Sequence, residues 1–259
     1  MYRDHRKAHI KNFEDYIDLY DASISNKDLF WGKIAERITW IKKWDTISNI
    51  DYKKADIKWF EGGKLNVSYN CLDRHVKNGH GDRIALLWEG NNPSEDKAFT
   101  YSQLLHDVAT FSNALKKINI KKGDRVCIYM QMIPELTIAM LACARIGAIH
   151  SIVFGAFSSD SLSDRINDSQ CKIIITQDTG VRGTKNNISM KSNVDEACKS
   201  SPSIDNVIVV QRTGSKIDMD NKRDIWWHSI IDGMSPICEP EVMDAEDPLF
   251  ILYTSGSTG

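Results

Sequence analysis

From about residue 84 onward the apolar positions of this chain follow two alternating rhythms. Ile84–Trp88 and Arg125–Met130 are short, nearly continuous apolar runs and predict strands. Between them Leu104, Val108, Phe111, Leu115 and Ile118 recur at helical spacing and predict an amphipathic helix. Thr100 and Gln103 stand where a capping box would start it. Lys122-Gly123-Asp124 reads as a turn, and Pro134 suits the first position of a mostly buried helix over 136–146, closed by Gly147. The pattern then predicts a strand at 148–154, a loop at 155–159, a helix at 161–168 and a strand at 171–176. A glycine-containing loop at 178–187, a helix at 188–199 and strands at 207–211 and 249–253 complete it.

Strands that are continuously apolar, alternating with helices, predict an α/β fold. Its sheet would be mostly parallel, with helices on both faces. In such sheets ligands gather beyond the carboxyl ends of the strands. The loops at 155–159 and 178–187 and the segment after 249–253 all follow strands, so all three fall where a ligand would bind. Residues 1–28 are polar and predict little. Residues 30–59 hold Trp31, Trp40, Trp44 and Trp59, a stretch suited to packing rather than to chemistry. The expected organisation is an N-terminal extension at 1–28, a segment at 29–80 and an α/β domain from 81 to 259.

Composition narrows the function classes. With 42% hydrophobic residues among 259, the chain can bury a core. A net charge of −2 gives no electrostatic footprint for nucleic acid or an anionic membrane. Six cysteines without a Cys-x-x-Cys pair read as scattered free thiols of a reducing cytoplasm. Cys71, His75 and His80 lie close in sequence but lack the paired ligands of a structural zinc site, so no metal site is expected within the chain.

The most informative segment is the last. Tyr253 leads into Thr254-Ser255-Gly256-Ser257-Thr258-Gly259. Backbone N–H groups of such a loop can form an anion nest, and its hydroxyls can reach phosphate oxygens or a phosphate-bound cation. A flexible Ser/Gly tail has the same composition. The strand in front and the alternating order favour phosphate binding. No lysine follows within the chain, so this is not a Walker-type P-loop.

These residues resemble the adenylate-forming (AMP-binding) superfamily, and within it the acetyl-CoA synthetase branch (acetate–CoA ligases, AMP-forming). The resemblance is carried by Asn70 to His75, Trp88-Glu89-Gly90, Met140 to Ser158, Gly180 to Lys185, Asp224 to Trp227 and Glu246 to Gly259. It covers residue 30 to the end and implies the N-terminal part of the family's large domain. It implies ATP-dependent activation of acetate to acetyl-adenylate, then thioester formation with CoA, giving acetyl-CoA, AMP and pyrophosphate. Thr254, Ser255, Gly256, Ser257, Thr258 and Gly259 would hold the phosphates of ATP with Mg2+. Arg182, Gly183, Thr184 and Lys185, with Gly155 and Ala156, would line the CoA site. Lys185 stands where the family often has arginine, Ala156 where it usually has glycine, and Gln131 where many members have proline. Gln131 is expected to affect only the start of the following helix. No catalytic side chain is expected here, because neither step needs a protein nucleophile. The family's acid pocket and mobile lysine-bearing domain would lie beyond Gly259, so this stretch alone is expected to be inactive and acid specificity is out of reach. A propionyl-CoA synthetase and a non-catalytic CoA- or nucleotide-binding module are the alternative readings.

Overall fold

The structure is a computed structural model and describes residues 8–254. Two compact units are present: residues 8–65 with Asp244–Glu246, and residues 66–243 with 247–254.

The first unit opens with helices α1 (Phe13–Ser25) and α2 (Lys27–Ala35). The α1 segment had read as merely polar. Its cue is Asn12, whose side chain accepts the Asp15 N–H at 2.7 Å while Glu14 and Asp15 face the positive end of the helix dipole. Strands β1 (Thr46–Asp51) and β2 (Asp56–Glu61) pair antiparallel, followed by the two-residue strand β3 (Lys64–Leu65). The tryptophans pack on one another. Trp40 meets Trp44 at 5.0 Å between ring centroids, and both meet Phe60, at 5.5 and 5.0 Å. Large rings supply burial that so small a unit could not gather from aliphatic side chains.

The second unit carries the predicted α/β pattern. Strands β4 (Ile84–Trp88) and β5 (Lys97–Thr100) lead into α3 (Tyr101–Lys117), β6 (Arg125–Met130), α4 (Pro134–Ile146), β7 (Ile149–Phe154) and α5 (Ser159–Ser169). Then come β8 (Ile173–Gln177), β9 (Thr179–Arg182), β10 (Lys185–Ser189), α6 (Lys191–Cys198), β11 (Asn206–Val210), β12 (Asp224–Trp226) and α7 (Trp227–Ile231). Two short strands follow, β13 (Met243–Asp244), which spans the division between the units, and β14 (Phe250–Ile251).

Six strands form one sheet in the order β12-β11-β8-β6-β7-β14, every neighbouring pair parallel. Alternate residues of each strand feed opposite cores. On one face Val126, Ile128, Ile173, Ile175 and Ile208 pack beneath α3, α4 and α7. On the other Cys127, Tyr129, Ile174, Val207 and Val209 pack beneath α5 and α6. A strand wet on neither face needs no polar positions, which is why these runs read as continuously apolar. The chain steps from β6 to β7 on one side and returns to place β8 on the other side of β6. The α4 connection covers one face and α6 the other, so a crevice opens at the carboxyl ends of β6 and β8.

Three expectations change. Ile84–Trp88 is a strand, but it belongs to an antiparallel hairpin with β5. The link between them is too short for the crossover that parallel pairing demands. Residues 178–187 are not a plain loop, because they contain β9 and part of β10. The helix expected from 188 consequently starts at Lys191. Both helix signals hold: the Thr100–Gln103 capping box forms in both directions, and Gly147 closes α4 in the left-handed conformation.

Candidate functional site

Where the chain leaves the parallel sheet it builds one concave surface. Met130 ends β6 and passes into Gln131-Met132-Ile133. Phe154 ends β7 and passes into Gly155-Ala156. The β9–β10 hairpin rises after β8. Together with Trp88 to Asn91 from the end of β4, these segments enclose a cavity of about 980 Å3. All six residues assigned by resemblance to CoA line it: Gly155, Ala156, Arg182, Gly183, Thr184 and Lys185.

Arg182 and Lys185 are register partners flanking the Gly183-Thr184 turn, and Gly183 takes the left-handed backbone that such a tip requires. Both cations are exposed, and neither forms an ion pair among the described residues. A guanidinium and an ammonium at the end of one rigid turn suit a phosphorylated ligand. The base of the hairpin is held from within. The buried Asp178 carboxylate accepts backbone N–H groups from Thr179 at 2.7 Å, Arg212 at 3.0 Å, Thr213 at 3.1 Å and Gly214 at 2.8 Å. The Thr179 and Thr213 hydroxyls meet at 2.6 Å.

The Gly155 loop is fixed by Tyr129, whose hydroxyl donates to the Phe157 carbonyl at 2.7 Å and accepts from Asn193 at 3.1 Å. Burial pushes the Tyr129 phenol up and the Asn193 amide opposes it, so it stays a neutral donor at neutral pH. The cavity also takes in Trp88 and Arg212, which sequence reasoning did not single out as site residues. The Arg212 guanidinium lies 5.2 Å from the Trp88 ring centroid and pairs with Glu95 at 2.5 Å. No local signal joins residues so far apart in sequence.

Of the segment assigned to ATP phosphates, only Thr254 is described, and it is exposed. Ser255, Gly256, Ser257, Thr258 and Gly259 lie outside the described residues. Phe250 and Ile251 pair in parallel with His150 and Ser151, so β14 delivers the chain to the same sheet edge at which β7 delivers Gly155. The two exits are joined by a stack. Arg165 of α5 lies between Phe157, at 4.6 Å, and Tyr253, at 5.3 Å, and the Tyr253 hydroxyl donates to Asp168 at 2.5 Å.

Arg145 forms a buried ion pair with Asp73. His150 is buried in β7, and its Nδ1 has no hydrogen-bond partner among the described residues. Trp227 packs stacked on Phe111 at 3.7 Å. No helix of the described residues is long and apolar enough to cross a membrane.

Residues 72–259 match the family described as AMP-binding enzyme, and residues 16–71 match the acetyl-coenzyme A synthetase N-terminus. The chain is 54% identical over 249 residues to the acetyl-coenzyme A synthetase of Magnetococcus marinus, covering 96% of this chain and 38% of that protein. It is 53% identical over 249 residues to acetyl-coenzyme A synthetase 2 of Pseudomonas aeruginosa, with the same two coverages. It thus spans about 38% of the length of the curated relatives it matches. Among solved structures, acetoacetyl-CoA synthetase from Streptomyces lividans superposes with a TM-score of 0.84 at 24% identity, over 94% of this chain and 37% of that one, which shows a shared fold.

Proposed function

The chain belongs to the AMP-binding enzyme family, and on that premise we propose that the full-length protein is an acetate–CoA ligase. It takes acetate, ATP as its Mg2+ complex, and CoA. An acetate oxygen attacks the α-phosphorus, the bond to the bridging oxygen breaks and pyrophosphate leaves. The CoA thiolate then attacks the acyl carbon of acetyl-adenylate, and AMP leaves.

The observation that carries this reading is the convergence of Arg182, Lys185 and the Gly155-Ala156 loop on one cavity, at the sheet edge where β14 hands the chain to Thr254. A thiol donor with a phosphorylated nucleotide end and an acyl-phosphate anhydride made from ATP must meet at one place. The Gly155 and Thr254 loops leave the adjacent parallel strands β7 and β14, so they can hold the two substrates side by side. Arg182 and Lys185 bind phosphate groups of CoA. Gly155 and Ala156 leave room for its chain. Thr254 through Gly259 receive the phosphates of ATP, where N–H and O–H donors offset the charge developing on the leaving pyrophosphate.

The test is acetate-dependent ATP–pyrophosphate exchange by the full-length protein, followed by CoA-dependent release of AMP. Both reactions with acetate, and weaker ones with propionate, support the reading. Exchange with no CoA-dependent step would overturn the CoA assignment, and a clear preference for propionate would overturn the choice of acid.

A further inference from the structure

We infer that two side-chain amides outside the β9–β10 hairpin, Gln131 and Asn91, are positioning residues that hold Arg182 at the cavity mouth; the inference rests on reading that cavity as the CoA site. The hairpin is a two-stranded sheet of its own, with a register irregularity between Lys185 and Ile188. An isolated two-stranded ribbon is marginal in water. The cations it carries need bracing if they are to meet a ligand in a fixed geometry.

The bracing comes from the free edge. Gly180 and Arg182 face β10 in the ladder, so the N–H and C=O of Val181 between them point the other way, where no strand lies. Gln131 takes both groups. Its Oε1 accepts the Val181 N–H at 2.9 Å and its Nε2 donates to the Val181 carbonyl at 3.1 Å, so one amide side chain does the work of a neighbouring strand. Gln131 is itself fixed, because its backbone N–H donates to Gln177 Oε1 at 2.9 Å. The approach needs a glycine: a Cβ on Gly180 would fall 2.7 to 2.9 Å from the Gln131 amide atoms. Gln131 therefore does more than start a helix, as its place in the sequence had suggested.

Asn91 repeats the device at the tip. Its Oδ1 accepts the Gly183 N–H at 2.7 Å and its Nδ2 donates to the Gly183 carbonyl at 2.9 Å. The two amides grip residues 181 and 183, on either side of Arg182. Fixing the backbone there removes conformational freedom that CoA binding would otherwise have to remove.

The full-length protein carrying Gln131→Ala, Asn91→Ala and Arg182→Ala, singly and combined, tests this. The readouts are KM for CoA in thioester formation and acetate-dependent pyrophosphate exchange, which needs no CoA. Gln131→Ala should raise KM for CoA about tenfold, the weight of two lost hydrogen bonds, and leave exchange unchanged. Asn91→Ala, at an exposed position, should raise it severalfold. In the Arg182→Ala background neither should add to the loss, because the amides act through that guanidinium. Single variants with unchanged KM for CoA, or effects as large in the Arg182→Ala background, would overturn the inference. Should Gln131→Ala also abolish exchange through misfolding, Asn91→Ala decides alone, a rise supporting the inference and no rise overturning it. If Arg182→Ala itself leaves KM for CoA unchanged, the CoA reading of the cavity fails, and the inference with it.

Discussion

Arg145 and Asp73, 72 positions apart in sequence, meet as a two-pronged ion pair inside the second unit, Nη1 to Oδ2 at 2.8 Å and Nη2 to Oδ1 at 3.0 Å. The guanidinium also donates through Nε to the Cys238 carbonyl at 2.5 Å, so one side chain at the end of α4 ties down two distant segments. Arg145 is 4% exposed and Asp73 8%. Removing one partner leaves the other charge buried without compensation. Asp73→Ala should therefore destabilise the protein by about 3–5 kcal/mol, seen as a lowered midpoint in urea unfolding. A midpoint unchanged from wild type would show that water reaches the pair.

The capping box at the start of α3 makes a smaller prediction. Gln103 N–H donates to the Thr100 hydroxyl at 3.2 Å, and Thr100 N–H donates to Gln103 Oε1 at 2.9 Å. Thr100→Ala should cost about 1 kcal/mol, and Thr100→Ser should recover most of it. Thermal melting of the two variants checks the order.

His150 makes stability depend on pH. Burial pushes its imidazolium down to about 4 from the ordinary 6.5. Over that interval the unfolded chain binds a proton that the folded chain refuses, so this group's contribution falls as pH drops from 6.5 toward 4 and is constant on either side. The loss is at most about 3 kcal/mol. His150→Leu should flatten that part of the melting-temperature profile, and an unaltered slope would assign acid sensitivity to other groups.

Tyr253 joins the start of the proposed phosphate loop to α5. Tyr253→Phe removes the bond to Asp168 and keeps the ring against Arg165. In the full-length protein it should raise KM for ATP about threefold to tenfold in pyrophosphate exchange, with KM for CoA unchanged. Equal changes in both constants would mean that the residue supports the two sites together.

Much of the fold was legible because the chemistry was local. The capping residues of α3, the proline and glycine bracketing α4, and the apolar runs of β6, β7, β8 and β11 each state their element within a few positions. The hairpin that carries Arg182 and Lys185 was missed because it stands off the main sheet, and its mostly exposed β10 imposes no alternation. The strand β5 was missed because four residues are too few to show a period. Arg182, Lys185, Gly155 and Ala156 could be named as candidates from the sequence, but nothing local says that they share one cavity with Trp88 and Arg212.

The sequence by itself determined the α/β class, the doubly covered parallel sheet and the placing of the candidate ligand loops after strands, because burial on both faces dictates residue type at every position of a strand. The tertiary structure alone decided the strand order, the partner of Arg145 and the grip of Gln131 and Asn91 on the hairpin. The grip depends on which backbone groups are left unpaired at a sheet edge, and the strand order and the ion pair depend on which distant segments meet, and both are settled only when the whole unit has assembled.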